Sequence, residues 1–424
     1  MGDWMPGITS SGLVRDESAA RGERERYDIL ILDGDSKQAV TSARSLGRAG
    51  LRVAVGESVG QYLLNINPPA FSSRYCARTV ALPNYIGDPA PYAEAIIGFV
   101  RDHGVRVVLP TGDASIVELG PYRERFTELG CTLVMASAEA LKIANDKSLT
   151  LEVAARLDIA YPRSVQVAGV EDLRAAEAQF GYPFVLKPTI SWTGEAADRV
   201  FPIGVINEAE AREVTTRFLA TGCGVLAQQW ASGRREGVTL LMADGEVLGI
   251  CGAVAHRTVP LLGGVSVMRE SIVVPADIHD ASVSLVRAIG LDGPLEVEWR
   301  RDAKGRPLLM EVNARLAGTL ENANKSGVDF PLLIWQWATG QPVAPVLSYR
   351  AGVRTRWLSG DLRWLRRNLT QAGRPDTVPA PRAVWTFLWE FARTRHYDYM
   401  DRRDMRPALA ELRQTAVIAR AKLG

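Results

Sequence analysis

The segment 294–316, PLEVEWRRDAKGRPLLMEVNARL, gathers side chains that could hold a charged ligand. If Arg301 and Arg306 close an Asp302-Ala303-Lys304-Gly305 turn, strand alternation puts Glu296, Glu298, Glu311 and Asn313 on one face. Val297, Trp299, Leu308, Met310 and Val312 fall on the other, which belongs in the core. In that register Glu296 opposes Glu311, and Glu298 opposes Leu309. Like charges opposed across strands destabilise a hairpin, so something positive should lie against this face. Oxygen ligands with no nearby His or Cys suit a hard cation, Mg²⁺ before Zn²⁺, with open positions that nucleotide phosphates typically fill. From this segment alone the alternative is a solvated face whose acids pair with Arg301, Arg306 or Arg315.

Two lysines bear on the same chemistry. Lys187 ends the apolar strand Phe184-Val185-Leu186-Lys187-Pro188, just before the Ser191–Gly194 loop. A fixed positive charge beside a loop of hydroxyls and Gly suits a phosphate chain. Lys147 opens a helix capped by Asn145-Asp146, where the helix dipole disfavours a cation unless an anion is bound nearby. Each lysine taken singly also fits a plain surface position.

The elements that must position these residues fall into two patterns. Asp28–Leu32 is an apolar run typical of a strand buried on both faces, followed by a Gly34-Asp35-Ser36 turn and an apolar helical repeat to Ala49. Strands at 51–55, 106–109 and 132–135 alternate with helices at 93–102 and 116–129, which implies a parallel sheet covered by helices. After residue 137 strands predominate: 182–186, 225–229, 238–243, 246–254, 295–301 and 306–312, with helices at 147–157 and 281–289. Asp244-Gly245 marks a tight hairpin. The expected organisation is a loose polar tail over 1–26, an α/β unit over 27–136, an α+β unit over 137–340 and a basic extension over 341–424.

Composition narrows the function. The 424 residues are 47% hydrophobic and 23% charged, a globular balance, and a net charge of +2 is too small for a chain that coats nucleic acid. Residues 341–424 carry 15 Arg and 1 Lys against 7 acids, leaving −7 for the preceding 340 residues. Cys76, Cys131, Cys223 and Cys251 are widely spaced, which speaks against a zinc site or disulfide framework. No apolar run is long enough for a transmembrane helix, and residues 1–6 lack a signal-peptide pattern, so the expected location is the cytoplasm.

Taken in order, the motifs resemble the ATP-grasp superfamily, in its carboxylate–amine ligase-like branch related to the carbamoyl-phosphate synthase large chain. They are Phe71-Ser72-Ser73-Arg74-Tyr75 with Leu82-Pro83, Leu109-Pro110-Thr111-Gly112-Asp113, Asn145-Asp146-Lys147, Phe184–Pro188, Ala227-Gln228-Gln229-Trp230-Ala231-Ser232-Gly233, Gly263-Gly264-Val265-Ser266, Val297-Glu298-Trp299 and Glu311–Leu316. The resemblance covers residues 27 to about 340. It implies a Rossmann-like pre-ATP-grasp domain, then a two-lobed ATP-grasp fold with a lid lobe at about 185–230. It also implies ATP and Mg²⁺, with Mn²⁺ as a substitute.

By the same resemblance, Lys147 and Lys187 would contact phosphates, Gln228, Gln229, Trp230 and Ala231 would form the adenine hinge, and Glu236 would meet the ribose. Glu298, Glu311 and Asn313 would hold the metal, with Glu296 behind them, and Arg315 the transferred phosphoryl group. Arg257, Gly263, Gly264, Ser266 and Arg269 would shape the acceptor pocket. Departures are Gln229 where the family usually has Glu, and Ala314 where Pro usually follows the metal-binding Asn. The loop 189–199 also has few glycines.

The implied reaction joins a small carboxylate, an amino acid for preference, to an amine through an acyl phosphate, releasing ADP and phosphate; a homodimer is compatible with it. The alternatives are a carboxyphosphate- or carbamoyl-phosphate-type enzyme and a nucleotide sensor without turnover. An NAD(P) oxidoreductase is disfavoured because the turn after Ile31 lacks G-x-G-x-x-G. The extension is expected to pack beside the acceptor pocket and favour an anionic substrate. Its basic, Trp-bearing helices would also suit an acidic membrane surface.

Overall fold

The computed structural model describes residues 25–58, 67–190, 202–222, 224–261 and 264–421. Most of the expected tail, most of the loop 189–199, and Gly263 and Cys223 lie outside the described residues.

Five strands, β1 (Ile29–Ile31), β2 (Val53–Ser58), β3 (Cys76–Leu82), β4 (Val107–Leu109) and β5 (Thr132–Leu133), form a parallel sheet in the order β3-β2-β1-β4-β5. β1 is buried throughout, as its apolar run requires when helices cover both faces. At its carboxyl end Asp33 takes a left-handed φ of 58°, and the Ser36 hydroxyl caps the helix Lys37–Arg48 by accepting from Ala39 N at 2.9 Å. This βα turn sits where parallel sheets generally receive ligands.

Four strands, β6 (Ser164–Val167), β7 (Phe184–Pro188), β8 (Ile203–Val205) and β9 (Val225–Gln229), make a small antiparallel sheet in the order β6-β9-β7-β8. The large sheet runs β14-β13-β10-β11-β12-β15-β16. Its strands are β10 (Arg235–Ala243), β11 (Glu246–Val259), β12 (Val265–Ile272), β13 (Gly293–Arg301), β14 (Pro307–Asn313), β15 (Arg354–Arg356) and β16 (His396–Tyr397). Trp299 anchors the apolar face of β13: it is 1% exposed, and its indole N–H donates to Ser282 Oγ at 2.9 Å.

The β13–β14 hairpin keeps the expected acidic face, but not the expected register or the expected apolar face of β14: Leu309, rather than Leu308 or Met310, pairs with Trp299 and joins Val297 and Val312 in the core. Glu296 opposes Asn313, and Glu298 opposes Glu311. The reason is the turn. Asp302 N donates to Arg306 O at 2.9 Å, while Asp302 Oδ1 accepts from Lys304 N and Arg306 N at 2.8 and 2.9 Å. Arg306 is thereby drawn into the loop, Arg301 pairs with Pro307, and a bulge between Glu298 and Trp299 shifts the register once more.

Residues beyond 341 are woven into this frame. β15 and β16 extend the large sheet, helix Leu358–Thr370 packs on β11, β12 and helix Ala380–Arg393, and helix Arg406–Ala421 packs on Pro69–Ser72. Arg44, only 2% exposed, pins them to the parallel sheet: its guanidinium donates to Asp404 Oδ2 at 3.0 Å and to the carbonyls of Asp398, Tyr399 and Asp404. Asp404 in turn accepts from Ser73 Oγ at 2.7 Å and Arg74 N at 2.9 Å.

Candidate functional site

Building from β13 outward, the Glu298–Glu311 pair is held by the protein's own cations. Arg235 donates to Glu298 through Nε at 3.1 Å and through a second nitrogen, and Lys147 Nζ lies 3.9 Å from Glu311. Asn313 Nδ2 donates to Glu298 Oε1 at 3.2 Å, and its Oδ1 accepts from Arg315 at 3.1 Å. Arg315 also donates to Asp113 Oδ1 at 2.7 Å, so one side chain links the hairpin to the parallel sheet. Glu296 is buried at 6% exposure; burial and the adjacent Glu298 charge push its carboxyl up to about 7. That surplus of negative potential is what a divalent cation would relieve.

Among the described residues no group of three or more His, Cys, Asp or Glu forms a metal cage. Two carboxylates and an amide that leave positions for water and phosphate oxygens are nevertheless a donor set that Mg²⁺ accepts. The residues fit the ion.

The lysines lie against the same hairpin. β7 carries Lys187 to within 3.4 Å of Met310 O on β14, and burial, reinforced by the charge of Lys147, pushes its ammonium down to about 8. Asp146 caps the Lys147 helix through Ser148 N at 2.7 Å, and Lys147 N donates to Thr189 O at 3.1 Å. Lys147 and Lys187 are 6% and 4% exposed, so both cations are kept beside the carboxylates rather than in solvent. On β9, Gln228 donates to Ser164 Oγ at 3.0 Å, Gln229 accepts from Arg163 at 3.0 Å, and the guanidinium of Arg300 lies over the Trp230 ring. Ala231 is buried beside them. Glu236 is also buried, its carboxylate engaged by Arg301 at 2.7 Å and by Arg234.

In front of the hairpin opens a cleft of about 550 Å³. Glu296, Glu298, Glu311 and Arg315 line one wall, and the carboxyl ends of β1 and β4 line the other. Residues beyond 341 supply a third, with Trp357, Arg363, Tyr399, Glu411 and Gln414. Of the residues expected at the acceptor pocket, Gly264 and Ser266 border the cleft; the Ser266 hydroxyl is buried with no hydrogen-bond partner among the described residues. Arg257 and Arg269 turn away from it. Arg257 donates to Asp361 at 2.7 Å and lies over Trp364, and Arg269 is fully buried on Asp398. His256 rests on Glu270 at 3.1 Å.

Several cleft residues were not singled out from the sequence. Asp33, Asp35 and Glu57 cluster at the carboxyl ends of β1 and β2, with Glu411 across the cleft. Asp33 Oδ2 accepts from Thr111 N, Gly112 N and Ser115 Oγ at 2.7–2.8 Å, yet burial still raises its carboxyl. Glu57 is pushed up to about 8, by burial and then by Asp33. Lys37 donates to Ser266 O at 3.2 Å and lies 3.5 Å from Asp398; burial, then Arg269, push it down to about 7. The available signal was an Asp on each side of Gly34 just past a doubly buried strand.

Comparisons with known proteins bear on the fold that carries this site. Residues 248–360 match the family model described as ATP-grasp in the biosynthetic pathway with Ter operon. The carbamoyl phosphate synthase large chain of Kineococcus radiotolerans is 24% identical over 313 residues, 71% of this chain and 26% of the relative. The arginine-specific large chain of Cutaneotrichosporon cutaneum is also 24% identical, over 73% of this chain and 25% of the relative. The chain thus spans about a quarter of the length of these curated relatives. Among solved structures, L-amino acid ligase from Bacillus licheniformis aligns with a TM-score of 0.56 and 17% identity over 75% of each chain. Biotin carboxylase from Campylobacter jejuni aligns at 0.60 and 16%, over 78% of this chain and 74% of that one.

Proposed function

We propose that this chain, which has the ATP-grasp fold and resembles the ATP-grasp superfamily in sequence, is an ATP-dependent ligase that joins a small carboxylate to an amine. Under this reading residues 27–136 precede the ATP-grasp unit, 137–340, and 341–424 complete its acceptor side. One observation carries the amide-forming version: the cleft that begins at Glu298, Glu311 and Arg315 ends among Asp33, Asp35, Glu57 and Glu411. Burial and mutual repulsion raise the carboxyls of Asp33, Asp35 and Glu57, and an ammonium group brought among them would favour their ionised forms, whereas a small anion such as bicarbonate would not.

In this reading Lys147 and Lys187 neutralise phosphate oxygens beside the hairpin. Glu298, Glu311 and Asn313 would hold Mg²⁺, which when bound screens the charge of the transferred phosphoryl group. Arg315, fixed by Asp113 and Asn313, stands where the phosphoryl and acceptor ends meet and stabilises charge as it moves between them. A carboxylate oxygen attacks the terminal phosphorus and ADP leaves, giving an acyl phosphate. The amine then attacks the acyl carbon and phosphate leaves. Lys37, partly neutral near pH 7, can take the proton the amine loses.

The test is incubation with ATP, Mg²⁺ and a mixture of amino acids, following ADP and identifying amide products by mass spectrometry. ADP formation driven by bicarbonate alone, with no amide from any amino acid, would instead support the carboxyphosphate reading that the carbamoyl-phosphate synthase relatives suggest. Nucleotide binding without ADP formation on any carboxylate would support a sensor.

A further inference from the structure

The helix Ala380–Arg393 presents its apolar residues to the wrong side for a helix of a closed globule. Only Ala383, Phe387 and Glu390 are buried. Val384, Trp385, Leu388 and Trp389 are 39%, 64%, 57% and 50% exposed, and the two indoles stack at 5.9 Å between centroids. At helical spacing these four residues span one continuous arc, because positions three and four apart share a face. Scattered surface apolar residues need no explanation, but two exposed tryptophans beside Val and Leu on one helix do.

The charge around the arc is of one sign. Arg382 and Arg393 lie near the two ends of this helix and are exposed, whereas its one carboxylate, Glu390, is buried and accepts from Arg354 at 2.9 Å. No acid on this helix is available to a partner. A second copy packed through the same face about a twofold axis would bring arginine margins together without a counter-charge. A helix face with Trp and Leu exposed and Arg beside them has the make-up of an element that lies in the interface of an anionic bilayer.

We propose that the exposed face of helix Ala380–Arg393 is a docking surface for an anionic phospholipid membrane. The indoles would sit at headgroup depth and the arginines would pair with lipid phosphates, holding the enzyme at the bilayer surface without crossing it. Among the described residues no helix is long and apolar enough to span a membrane, which agrees with surface attachment.

The full chain is to be sedimented with vesicles of phosphatidylglycerol and phosphatidylcholine in equal parts, and with vesicles of phosphatidylcholine alone. The expected result is co-sedimentation with the anionic vesicles, weakened by salt, and a blue shift in tryptophan emission. Arg382→Gln and Arg393→Gln should each lower the partition coefficient about fivefold, and Leu388→Glu should abolish it. These side chains are exposed and none of them lines the cleft, so unchanged circular dichroism and ADP formation show that the variants are folded. Absence of co-sedimentation, or equal binding to neutral vesicles, overturns the proposal. So does a dimer seen by light scattering in the absence of lipid and removed by Leu388→Glu, which would assign the face to a second copy.

Discussion

Glu296 offers a test of how charge is arranged on the hairpin. Its side chain accepts from Thr319 Oγ1 at 3.3 Å, and burial together with Glu298 raises its carboxyl from 4.5 to about 7. The folded value lies above the unfolded one, so folding takes up a proton in the interval between them. The stability this group contributes is therefore full below pH 4.5 and is lost as pH rises through about 7. At about 1.4 kcal/mol per pH unit, the loss approaches about 3 kcal/mol at alkaline pH. Glu296→Gln keeps the shape and the bond from Thr319 but cannot ionise. By scanning calorimetry without nucleotide, the variant should match the parent in Tm at about pH 4.5 and exceed it by several degrees at about pH 8.5. Adding Mg²⁺ and ADP should narrow the gap, because a cation nearby favours the ionised parent. A variant that is no more stable than the parent at alkaline pH would refute this account of the acidic face.

Three further outcomes are expected. Glu298→Ala should cut ADP formation at least about a hundredfold and, because half-buried Arg235 keeps its bond to Gly264 O, lower stability by no more than about 1–3 kcal/mol in denaturant titrations; activity within threefold of the parent would remove Glu298 from the site. Lys187 is charged below about 8 and neutral above it, so kcat/KM for ATP should fall as pH rises past that value; Lys187→Met should be weak at every pH and lack that limb. Arg44→Ala should cost about 3–5 kcal/mol, because Asp404 and three carbonyls lose their buried donor; limited proteolysis should then cut between residues 398 and 410 before it cuts the sheets.

The acidic face of the β13–β14 hairpin and the apolar face of β13 were legible because a period of two needs no tertiary information, whereas on β14 Leu309 takes the core position expected for Leu308 and Met310. The register was not legible, because Asp302 closes the turn with its own side chain and a bulge follows Glu298. The parallel sheet was legible from its buried runs, except β3, whose sequence CARTVAL carries an Arg and whose middle residues are largely exposed at the sheet edge. Arg257 and Arg269 looked like ligand-binding cations beside Gly264, but their partners Asp361 and Asp398 lie some hundred residues away, beyond any local pattern. For the same reason the acidic end of the cleft was missed: Asp33 and Asp35 read as turn residues until Glu57 and Glu411 are brought beside them.

The Arg44–Asp404 clasp also sets an order of events during synthesis. A nascent chain paused before residue 400 would already own the hairpin carboxylates, Lys147 and Lys187, yet would lack Glu411 and Gln414 on the third wall of the cleft. Until they arrive, the cleft has two complete walls and lies open to water on the third side. The buried Arg44 guanidinium ties that late-made wall directly to the first-made sheet.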